Sequence, residues 1–481
     1  MIRSLQFHWL FSRNRFAQAM ACTESGRIPR NARELYACYR LGLYETVANS
    51  LRYNDNWRGS FASAVSLAAC GREKDAEVLV RSLVSQNKLG TYQIALADAL
   101  APFSPALAQE LIAHGVAPAP LRAALLLRLE RSSEAEGVIR DAIGRGEALR
   151  QPELHLFLST AERPSPLQQL KYLNAFLASY GLSPLTLRDE AMSPGPVNIK
   201  SAEIPGVTGG PLVSVLMTAF RAGRRIEAAI DSLLAQTYRN IEVIVADDAS
   251  DDDTEKVVKA IAARDSRVIY LRLPRNVGTY VAKSMGLRHA SGEFVTCQDS
   301  DDWAHPTKIE RQVRPLLEDQ KLVFTTSLWM RMQDDGVYYA RPVHPLMRLN
   351  PASPMFRKDL VLKQAGGWDA VRTGADSEFA ARLRLVFGRR AMHRVAAPLT
   401  LGSHRPDSLM NAAGTGYSAS GISPTRLAYW EGWGHFHINE LRAGRTPHVP
   451  VDLLAERRFS APEAIVVPRE DIEVCLGACG G

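Results

Sequence analysis

The fold of this 481-residue chain is decided by three short, largely apolar runs: VSVLMTAF at 213–220, IEVIVAD at 241–247 and EFVTCQ at 293–298. Each run is rich in β-branched residues and has the length of a buried strand. Amphipathic patterns with helical spacing lie between the runs, near 224–236 and 279–290. Strands that alternate with helices indicate a parallel sheet that is covered on both faces.

The alternation extends to a predicted helix at 254–264 and a predicted strand at 268–273. In an open sheet of this kind, ligands bind outside the carboxyl ends of the strands. Asp247 and Asp248 end one predicted strand, and Asp299–Asp302 end another. Both acidic clusters are therefore expected at the ligand-binding edge of the sheet.

The second acidic cluster has the chemistry of a divalent-cation site. Carboxylates a few ångströms apart raise one another's pKa unless a cation or hydrogen-bond donors compensate. Oxygen ligands favour Mg²⁺ or Mn²⁺ over Zn²⁺, and such ions are often shared between carboxylates and the phosphates of a substrate. Asp299 and Asp301 are therefore predicted to hold Mg²⁺ or Mn²⁺ on a diphosphate. The triplet Asp251–Asp253 is instead interpreted as a solvated helix N-terminus.

Residues 1 to about 190 show helical patterns throughout, with no strand pattern. An apolar helix, a break and an amphipathic helix recur four times, and the breaks lie at 71–74, 102–105, 130–133 and 163–166. Their spacing of roughly 30 residues is the range of tetratricopeptide-like helical hairpins, which must stack to bury their apolar faces. A short α-solenoid is predicted, and an irregular helical bundle is the alternative.

Proline and glycine crowd residues 192–211, which we interpret as a linker between domains. The predicted organisation has three further parts. An all-α helical-repeat domain spans 1–191, an α/β domain with a mostly parallel sheet spans 212–405, and a C-terminal helical extension and tail spans 406–481.

The overall composition excludes several classes of protein. Hydrophobic residues make up 46% and charged residues 23%, which excludes collagen-like, mucin-like and wholly disordered chains. A net charge of +7 suits a phosphate-bearing ligand, but the charge is too small and too dispersed to indicate nucleic-acid binding. The six cysteines are scattered without a Cys-x-x-Cys pair, which is typical of reduced thiols in the cytoplasm.

The sequence also bears on membrane contact. It has no window of about 18 uninterrupted apolar residues, so no membrane-spanning helix is predicted. The aromatic cluster at 7–11 lies beside Arg3, Arg13 and Arg15. This segment is predicted to be a first helix packed on the body, and peripheral attachment to the inner face of an anionic membrane is the alternative.

Further motifs accompany the three apolar runs: SLLAQTY at 232–238, NVG at 276–278 and ASGEF at 290–294. In this order and approximate spacing, the stretch Pro211–Trp303 resembles glycosyltransferase family 2. The GT-A fold of that family binds a nucleotide-sugar through a metal ion and an Asp-x-Asp motif. The resemblance implies that residues 212–405 form a GT-A domain and that the chain is an inverting, metal-dependent glycosyltransferase.

For the donor base, the resemblance implies a pocket lined by Thr218 and Phe220. One carboxylate of Asp247 or Asp248 would accept a hydrogen bond from the base. Arg221 stands where the family usually has Asn, so the outline of this pocket is expected to depart from the family's pattern.

For the diphosphate, the resemblance implies that Asp299 faces the ribose or the metal and that Asp301 coordinates the metal. Lys283 matches a basic residue that the family commonly has near the phosphates. His404 lies where many relatives carry a histidine that closes over the metal or the diphosphate.

The acceptor hydroxyl must lose a proton as it attacks, and a carboxylate within hydrogen-bond reach can accept that proton. The segment GADSEFAARL at 374–383 resembles the acceptor region of the family, where a Glu-Asp pair opens a helix. Ala375 replaces the Glu, and Asp376 keeps the Asp. The resemblance implies that Asp376 is the catalytic base, with Glu378 as the fallback. A helix-capping role is the alternative for Asp376.

The expected function is the transfer of single sugars from a nucleotide-sugar to a glycan or glycolipid acceptor. The resemblance favours a UDP-sugar and bacterial surface polysaccharide synthesis. The first alternative is a protein-binding scaffold of helical repeats that carries a degenerate nucleotide-sugar-binding domain. The second is a nucleotidyltransferase, which would need a glycine-rich phosphate loop after the first strand, and residues 219–225 lack one.

Overall fold

The computed structural model describes residues 2–24, 26, 28–50, 56–113, 117–412, 414–418 and 421–479. Over these residues an all-helical N-terminal region precedes a curled, mostly parallel sheet, which confirms the predicted fold class. A long C-terminal helix then packs against both parts.

The N-terminal region, where the structure describes it, is built of short helices. They are α1 Ile2–Ser12, α2 Phe16–Ala21, α3 Ala32–Arg40, α4 Tyr44–Ala48, α5 Trp57–Ala69, α6 Glu73–Ser85, α7 Gln93–Leu100, α8 Pro105–Ile112, α9 Ala119–Arg128, α10 Ser132–Gly144, α11 Leu154–Glu162 and α12 Pro166–Ala178.

The predicted helical hairpins are confirmed in the pairs α5–α6, α7–α8, α9–α10 and α11–α12. Gly71, Glu130 and Arg163 adopt positive φ just after α5, α9 and α11. This left-handed conformation ends each helix and turns the chain toward its partner. Neighbouring hairpins also touch, α8 on α9 and α10 on α11, so the pairs form a stack.

The second half of the chain carries the sheet. The strands in this half of the chain are β3 Val213–Ala219, β4 Ile241–Asp247, β5 Val268–Arg272, β6 Phe294–Asp299, β7 Trp303–Ala304, β8 Phe324–Met332, β9 Tyr338–Tyr339, β10 Arg348–Leu349, β11 Met355–Arg357, β12 Met392–Ser403, β13 Tyr417–Ser418 and β14 Gly421–Ile422. Its helices are α13 Ile226–Leu234, α14 Thr254–Arg264, α15 Thr279–Arg288, α16 Lys308–Glu318, α17 Lys358–Gln364, α18 Ala375–Phe387, α19 Pro424–Arg442 and α20 Arg469–Cys479.

The strand order of the main sheet is β5-β4-β3-β6-β11-β8-β12-β7. β5, β4, β3 and β6 pair in parallel, and β8 pairs in parallel with β12. β11 is antiparallel to both β6 and β8, so β6 and β8 run in the same direction. The carboxyl ends of β3, β6, β8 and β12 therefore lie along one edge of the sheet.

One expectation for the N-terminal half was wrong, because residues 1–190 do contain a strand. β1 (Leu185–Leu187) pairs antiparallel with β2 (Ile199–Ser201), which lies inside the segment 192–211 that was interpreted as a linker. The buried Asn198 amide orders this segment by donating to three backbone carbonyls at 2.9 to 3.0 Å. Strands of three residues are too short to show a periodic pattern in the sequence.

The helical region and the sheet share one apolar core. Leu125 and Phe157 of the helices belong to the same buried cluster as Met330 and Met332 of β8 and Leu399 of β12. The helices therefore cover the far part of the sheet. They are not a separate body joined only by a linker.

The helix α19 joins three parts of the molecule. Tyr429 and Trp433 are buried in the cluster that contains Phe379 of α18, and Leu427 belongs to the core shared with the helical region. Ile438 packs into the cluster formed by α1–α4. This packing fixes the N-terminal helices relative to the helix that carries Asp376.

Candidate active site

A charged cleft of about 560 Å³ opens at the carboxyl edge of the sheet. Its walls are the segments that follow β3, β8 and β12. Most of the lining side chains are charged: Arg221, Arg224, Arg225, Asp252, Asp334, Asp335, Arg405 and Asp407. Such a lining suits a charged ligand rather than an apolar one.

The acidic loop after β6 is connected to one wall of this cleft. Arg405 donates two hydrogen bonds to Asp301 Oδ2, from Nε at 3.2 Å and from Nη2 at 3.0 Å. Asp302 Oδ1 accepts a hydrogen bond from the backbone N–H of Ser403 at 2.9 Å. The Asp-x-Asp sequence therefore lies beside the cleft, next to the segment that follows β12.

The carboxylates of this loop disturb one another's ionisation. Burial raises the pKa of Asp301, Asp299 raises it further, and Arg405 opposes both effects. Burial, then Asp301 and Asp299, raise the pKa of Asp302 well above its usual range. A positive charge relieves repulsion of this kind, whether a side chain or a bound cation supplies it.

Two buried lysines supply positive charge beneath the loop. Lys283 Nζ lies 3.6 Å from Asp299 Oδ1. Burial alone would lower the pKa of Lys283, but Asp299, followed by Cys297 and Asp376, outweighs burial and raises it. Lys308 donates to Gln298 Oε1 at 2.5 Å, and burial lowers its pKa to about 8 despite the nearby aspartates.

Asp376 lies in the first turn of α18 and is half-buried. Its Oδ1 accepts the backbone N–H of Ser377 at 2.7 Å, and burial and the charge of Asp376 raise the pKa of the Tyr280 hydroxyl well above its usual range. The charge of Asp376 also reaches the buried Lys283, whose ammonium group lies 3.6 Å from Asp299 Oδ1.

The protein itself engages Asp247 and Asp248. Asp247 accepts hydrogen bonds from the Tyr270 hydroxyl at 2.6 Å and from the backbone N–H of Ser250 at 2.9 Å. Asp248 accepts the two backbone N–H groups of residues 277–278 at 2.6 and 2.8 Å, and burial raises its pKa to about 6. Both carboxylates fix loops at this edge, so a base would have to use their remaining lone pairs.

The predicted base pocket begins at the end of β3. The Thr218 and Thr279 hydroxyls share a hydrogen bond of 2.8 Å. Phe220 is exposed, and the guanidinium of Arg221 lies 5.1 Å from the centroid of its ring. Arg221 also forms a two-pronged ion pair with Asp251 at 2.6 and 2.7 Å, which joins the end of β3 to the segment before α14.

The acidic loop fits a metal site that is shared with a ligand. In the part of the chain that the structure describes, no three His, Cys, Asp or Glu side chains are grouped so as to hold a metal ion. Asp299 and Asp301 repel each other, and the Asp299 side chain is 41% exposed. Two carboxylates completed by phosphate oxygens form the hard donor set that Mg²⁺ and Mn²⁺ prefer.

The structure does not bring His404 into this acidic group. Its ring stacks on Tyr339 with centroids 3.6 Å apart, and Nδ1 is buried without a hydrogen-bond partner. Burial, followed by the charges of Arg331 and Arg128, lowers the pKa of His404 to about 4. His404 therefore forms part of the cleft wall as a neutral stacked ring.

Glu378 is not available as the fallback base. It is fully buried and accepts Arg382 Nε and Nη2, both at 2.8 Å, and its Oε1 lies 2.8 Å from His437 Nε2. Burial would raise the pKa of Glu378, but Arg382 and then His437 lower it to about 2. Residues that are two positions apart on a helix point to nearly opposite sides. Glu378 therefore points into the core when Asp376 faces the site.

Three neighbours of the site were missed in the sequence: Tyr280, Arg225 and Lys308. Arg225 lines the cleft and forms an ion pair with Asp334, 109 residues away in the chain, which no local pattern could reveal. Lys308 did leave a signal, because it lies on the apolar face of α16 with Val313. A lysine on such a face indicates a buried charge that needs partners.

Residues 214–372 match the family model described as Glycosyl transferase family 2. The match includes Asp299 and Asp301 and ends before Asp376. Among solved structures, S. aureus TarS 1–349 in complex with UDP-GlcNAc is similar with a TM-score of 0.36 and 16% sequence identity, over 48% of this chain and 65% of that chain.

Curated relatives match a little more than a quarter of the chain. WfaP of Escherichia coli, named a UDP-Glc:alpha-D-GlcNAc-diphosphoundecaprenol beta-1,3-glucosyltransferase, is 35% identical over 134 residues, which are 27% of this chain and 52% of WfaP. TuaG of Bacillus subtilis, named a putative teichuronic acid biosynthesis glycosyltransferase, is 31% identical over 134 residues, which are 28% of this chain and 53% of TuaG. The chain thus spans about half of the length of these relatives.

Proposed function

Because residues 214–372 match the model of glycosyltransferase family 2, we propose that the chain transfers a sugar from a nucleotide-sugar to an acceptor hydroxyl, with inversion at the anomeric carbon. The family match, together with the acidic loop that Arg405 joins to the charged cleft at the carboxyl edge of the sheet, carries this proposal. Asp299 belongs to the loop that would face the donor. Asp376 belongs to the helix that would face the acceptor.

Asp376 is the proposed base. Its carboxylate would accept the proton of the attacking hydroxyl, while the Ser377 N–H holds its orientation. A base on the acceptor side supports a single in-line displacement, which inverts the configuration of the sugar carbon. Alignment of the two substrates in this way contributes much of the rate.

Asp299 and Asp301 are proposed to hold Mg²⁺ or Mn²⁺ together with the diphosphate of the donor. When bound, such an ion neutralises charge on the leaving nucleoside diphosphate. Arg405 and Arg225 line the same cleft and can hydrogen-bond phosphate oxygens. Lys283 keeps the acidic loop in place from below.

The names of the relatives support a substrate class. WfaP is named for transfer from UDP-Glc to a diphosphoundecaprenol-linked sugar, and TuaG for teichuronic acid biosynthesis. On this support we propose a UDP-sugar donor and a glycan or glycolipid acceptor in bacterial surface polysaccharide synthesis, in the cytoplasm.

A peripheral membrane contact is part of the proposal. Among the described helices, none has both the length and the apolar character to cross a bilayer. α1 exposes Leu5 and Trp9, and the guanidinium of Arg13 lies 4.1 Å from the centroid of the Trp9 ring. Exposed apolar side chains beside arginine suit the surface of an anionic membrane.

Hydrolysis of UDP-glucose and UDP-GlcNAc, with water as the acceptor, tests the function. We expect slow, Mn²⁺-dependent release of UDP, and NMR should detect the β-anomer of the sugar first if the displacement inverts. Asp376→Asn should retain donor binding and lower hydrolysis about 100-fold or more. Asp301→Asn should weaken donor binding itself in calorimetric titrations.

Asp319→Asn is the matched control, because Asp319 is an exposed aspartate at the end of α16. It should match the wild type in both assays. An α-anomer as first product would contradict inversion. Absence of binding across a panel of nucleotide-sugars would contradict the function and favour the scaffold alternative.

A further inference from the structure

Two arginines at the seam between the helical region and the sheet lack a carboxylate partner. Arg341 follows β9, and Arg426 lies in the first turn of α19. Both guanidiniums stack over the ring of Tyr417, with Cζ 4.0 and 4.6 Å from its centroid. Among the described residues, neither arginine forms an ion pair with a carboxylate.

The hydrogen bonds of Arg341 and Arg426 leave part of the positive charge of the two guanidinium groups without a partner. Arg426 Nε donates to the carbonyl of Thr415 at 2.9 Å, and Nη2 donates to Thr373 Oγ1 at 2.8 Å. Among the residues that the structure describes, Nη2 of Arg341 is buried without a hydrogen-bond partner. Buried guanidinium donors are costly to leave unpaired, so the arrangement indicates that a ligand supplies the acceptor.

The position of the pair relates it to the acceptor side. Thr373, which Arg426 binds, lies just before the helix that carries Asp376. The charges of Arg426 and of Asp376 both reach Tyr280. An anion held by the arginines would therefore lie near the proposed base.

The helical region closes the other side of the pair. The Phe103 ring lies 4.8 Å from Arg341 Cζ, and the buried Tyr44 lies within electrostatic range of the same guanidinium. This placement gives residues of the helical region a direct part in the site.

Resting on the proposed function, we propose that Arg341 and Arg426 bind a phosphate group of the acceptor and so direct the acceptor hydroxyl to Asp376. One planar guanidinium fork satisfies a carboxylate, whereas two guanidiniums can donate to a tetrahedral phosphate from two directions. Two unmatched positive charges also suit the charge of a phosphate. A phosphodiester polymer and a lipid-linked diphosphate offer this same group.

Calorimetric titration of the full chain tests the site with two probes, dimethyl phosphate for a diester and methyl diphosphate for a diphosphate. Arg341→Gln and Arg426→Gln should each raise the Kd of the preferred probe about tenfold, because each variant loses a charge-assisted contact with the phosphate. Arg188→Gln is the control, because it removes one positive charge at an exposed ion pair with Asp231 and should leave the Kd unchanged.

The probe that responds to both arginines identifies the source of the phosphate. An unchanged Kd for both probes in both variants, or no binding of either probe to the wild type, would overturn the proposal. Thermal unfolding adds a separate readout, because Arg341→Gln should not lower the Tm if the charge serves a ligand. A lower Tm together with an unchanged Kd would make Arg341 a packing residue.

Titration of the same samples with UDP-glucose and Mn²⁺ separates this proposal from the function on which it rests. Arginine-dependent phosphate binding without donor binding would leave the anion site standing and remove the proposed transferase activity. Donor binding together with phosphate binding that does not depend on the arginines would remove the anion site and leave the proposed transferase activity standing.

Discussion

Lys283 Nζ lies 3.6 Å from Asp299 Oδ1, and the charge of Asp376 also reaches this buried ammonium group. The two carboxylates come from different elements, the end of β6 and the start of α18. The charge of one lysine on α15 is therefore felt on both the side of the site assigned to the donor and the side assigned to the acceptor.

Replacement of this lysine should uncouple the two carboxylates. Lys283→Met should lower the hydrolysis of UDP-sugars about 100-fold, because the positive charge that positions Asp299 and Asp376 is lost. Steady-state kinetics measure the effect, and thermal unfolding shows whether the variant is folded. Lys259→Met, at an exposed ion pair with Glu255, is the control. A folded Lys283→Met with unchanged kcat/KM would contradict the role assigned to Lys283.

Lys308 predicts a loss of activity in mild alkali. Its pKa of about 8 lies below the usual value of about 10.4, so the folded chain releases this proton first as the pH rises. Between these two values the group makes the folded state more stable as the pH rises, because the unfolded chain still binds the proton. The acidic loop nevertheless loses its counter-charge in the same interval.

Donor hydrolysis should therefore fall as the pH rises through about 8. Lys308→Arg keeps its charge at this pH and should move the fall to higher pH. If the larger arginine side chain prevents folding, Lys308→Met is the second variant. Its donor hydrolysis should be low and should show no fall near pH 8. Identical pH profiles for the wild type and a folded variant would exclude Lys308 as the titrating group.

Glu378 predicts acid sensitivity of the fold. Its pKa of about 2 lies below the usual value, so the ionised form stabilises the folded state above pH 5 or so, and this stabilisation disappears as the pH falls toward 2. The pKa difference corresponds to about 3 kcal/mol. Glu378→Gln leaves the charge of Arg382 buried without its partner and should cost about 3 to 5 kcal/mol at pH 7.

Urea unfolding at pH 7, 5 and 3 measures this contribution. The wild type should lose more stability than Glu378→Gln between pH 5 and pH 3. Glu473→Gln, at an exposed ion pair with Arg469, should change the unfolding free energy by less than about 1 kcal/mol. A Glu378→Gln variant that is as stable as the wild type and inactive would instead restore Glu378 as a base candidate.

The sequence predicted best where the pattern was local. β4 and α14 have the predicted bounds, Ile241–Asp247 and Thr254–Arg264, because strand and helix periodicity alone determine them. Asp299 and Asp301 lie at the expected edge because parallel strands bring their carboxyl ends together.

The sequence failed where partners are distant in the chain. His404 stacks on Tyr339, 65 residues earlier, and no local pattern contains that contact. For Glu378 the helix was predicted correctly, and its spacing from Asp376 and Arg382 already indicated the core side, but its third partner, His437 of α19, is distant in the chain. The unpaired Arg341 becomes visible only when the helical region is packed against the sheet.

The shared core predicts that residues 212–481 do not fold alone. Removal of 1–211 would expose apolar side chains of β8 and β12, including Met330, Met332 and Leu399, which pack with the helical region in one buried cluster. Large exposed apolar patches favour aggregation. We expect the truncated chain to aggregate in size-exclusion chromatography, whereas the full chain should unfold in one transition. A monomeric 212–481 that unfolds cooperatively near the Tm of the full chain would show that the helices are an independent domain.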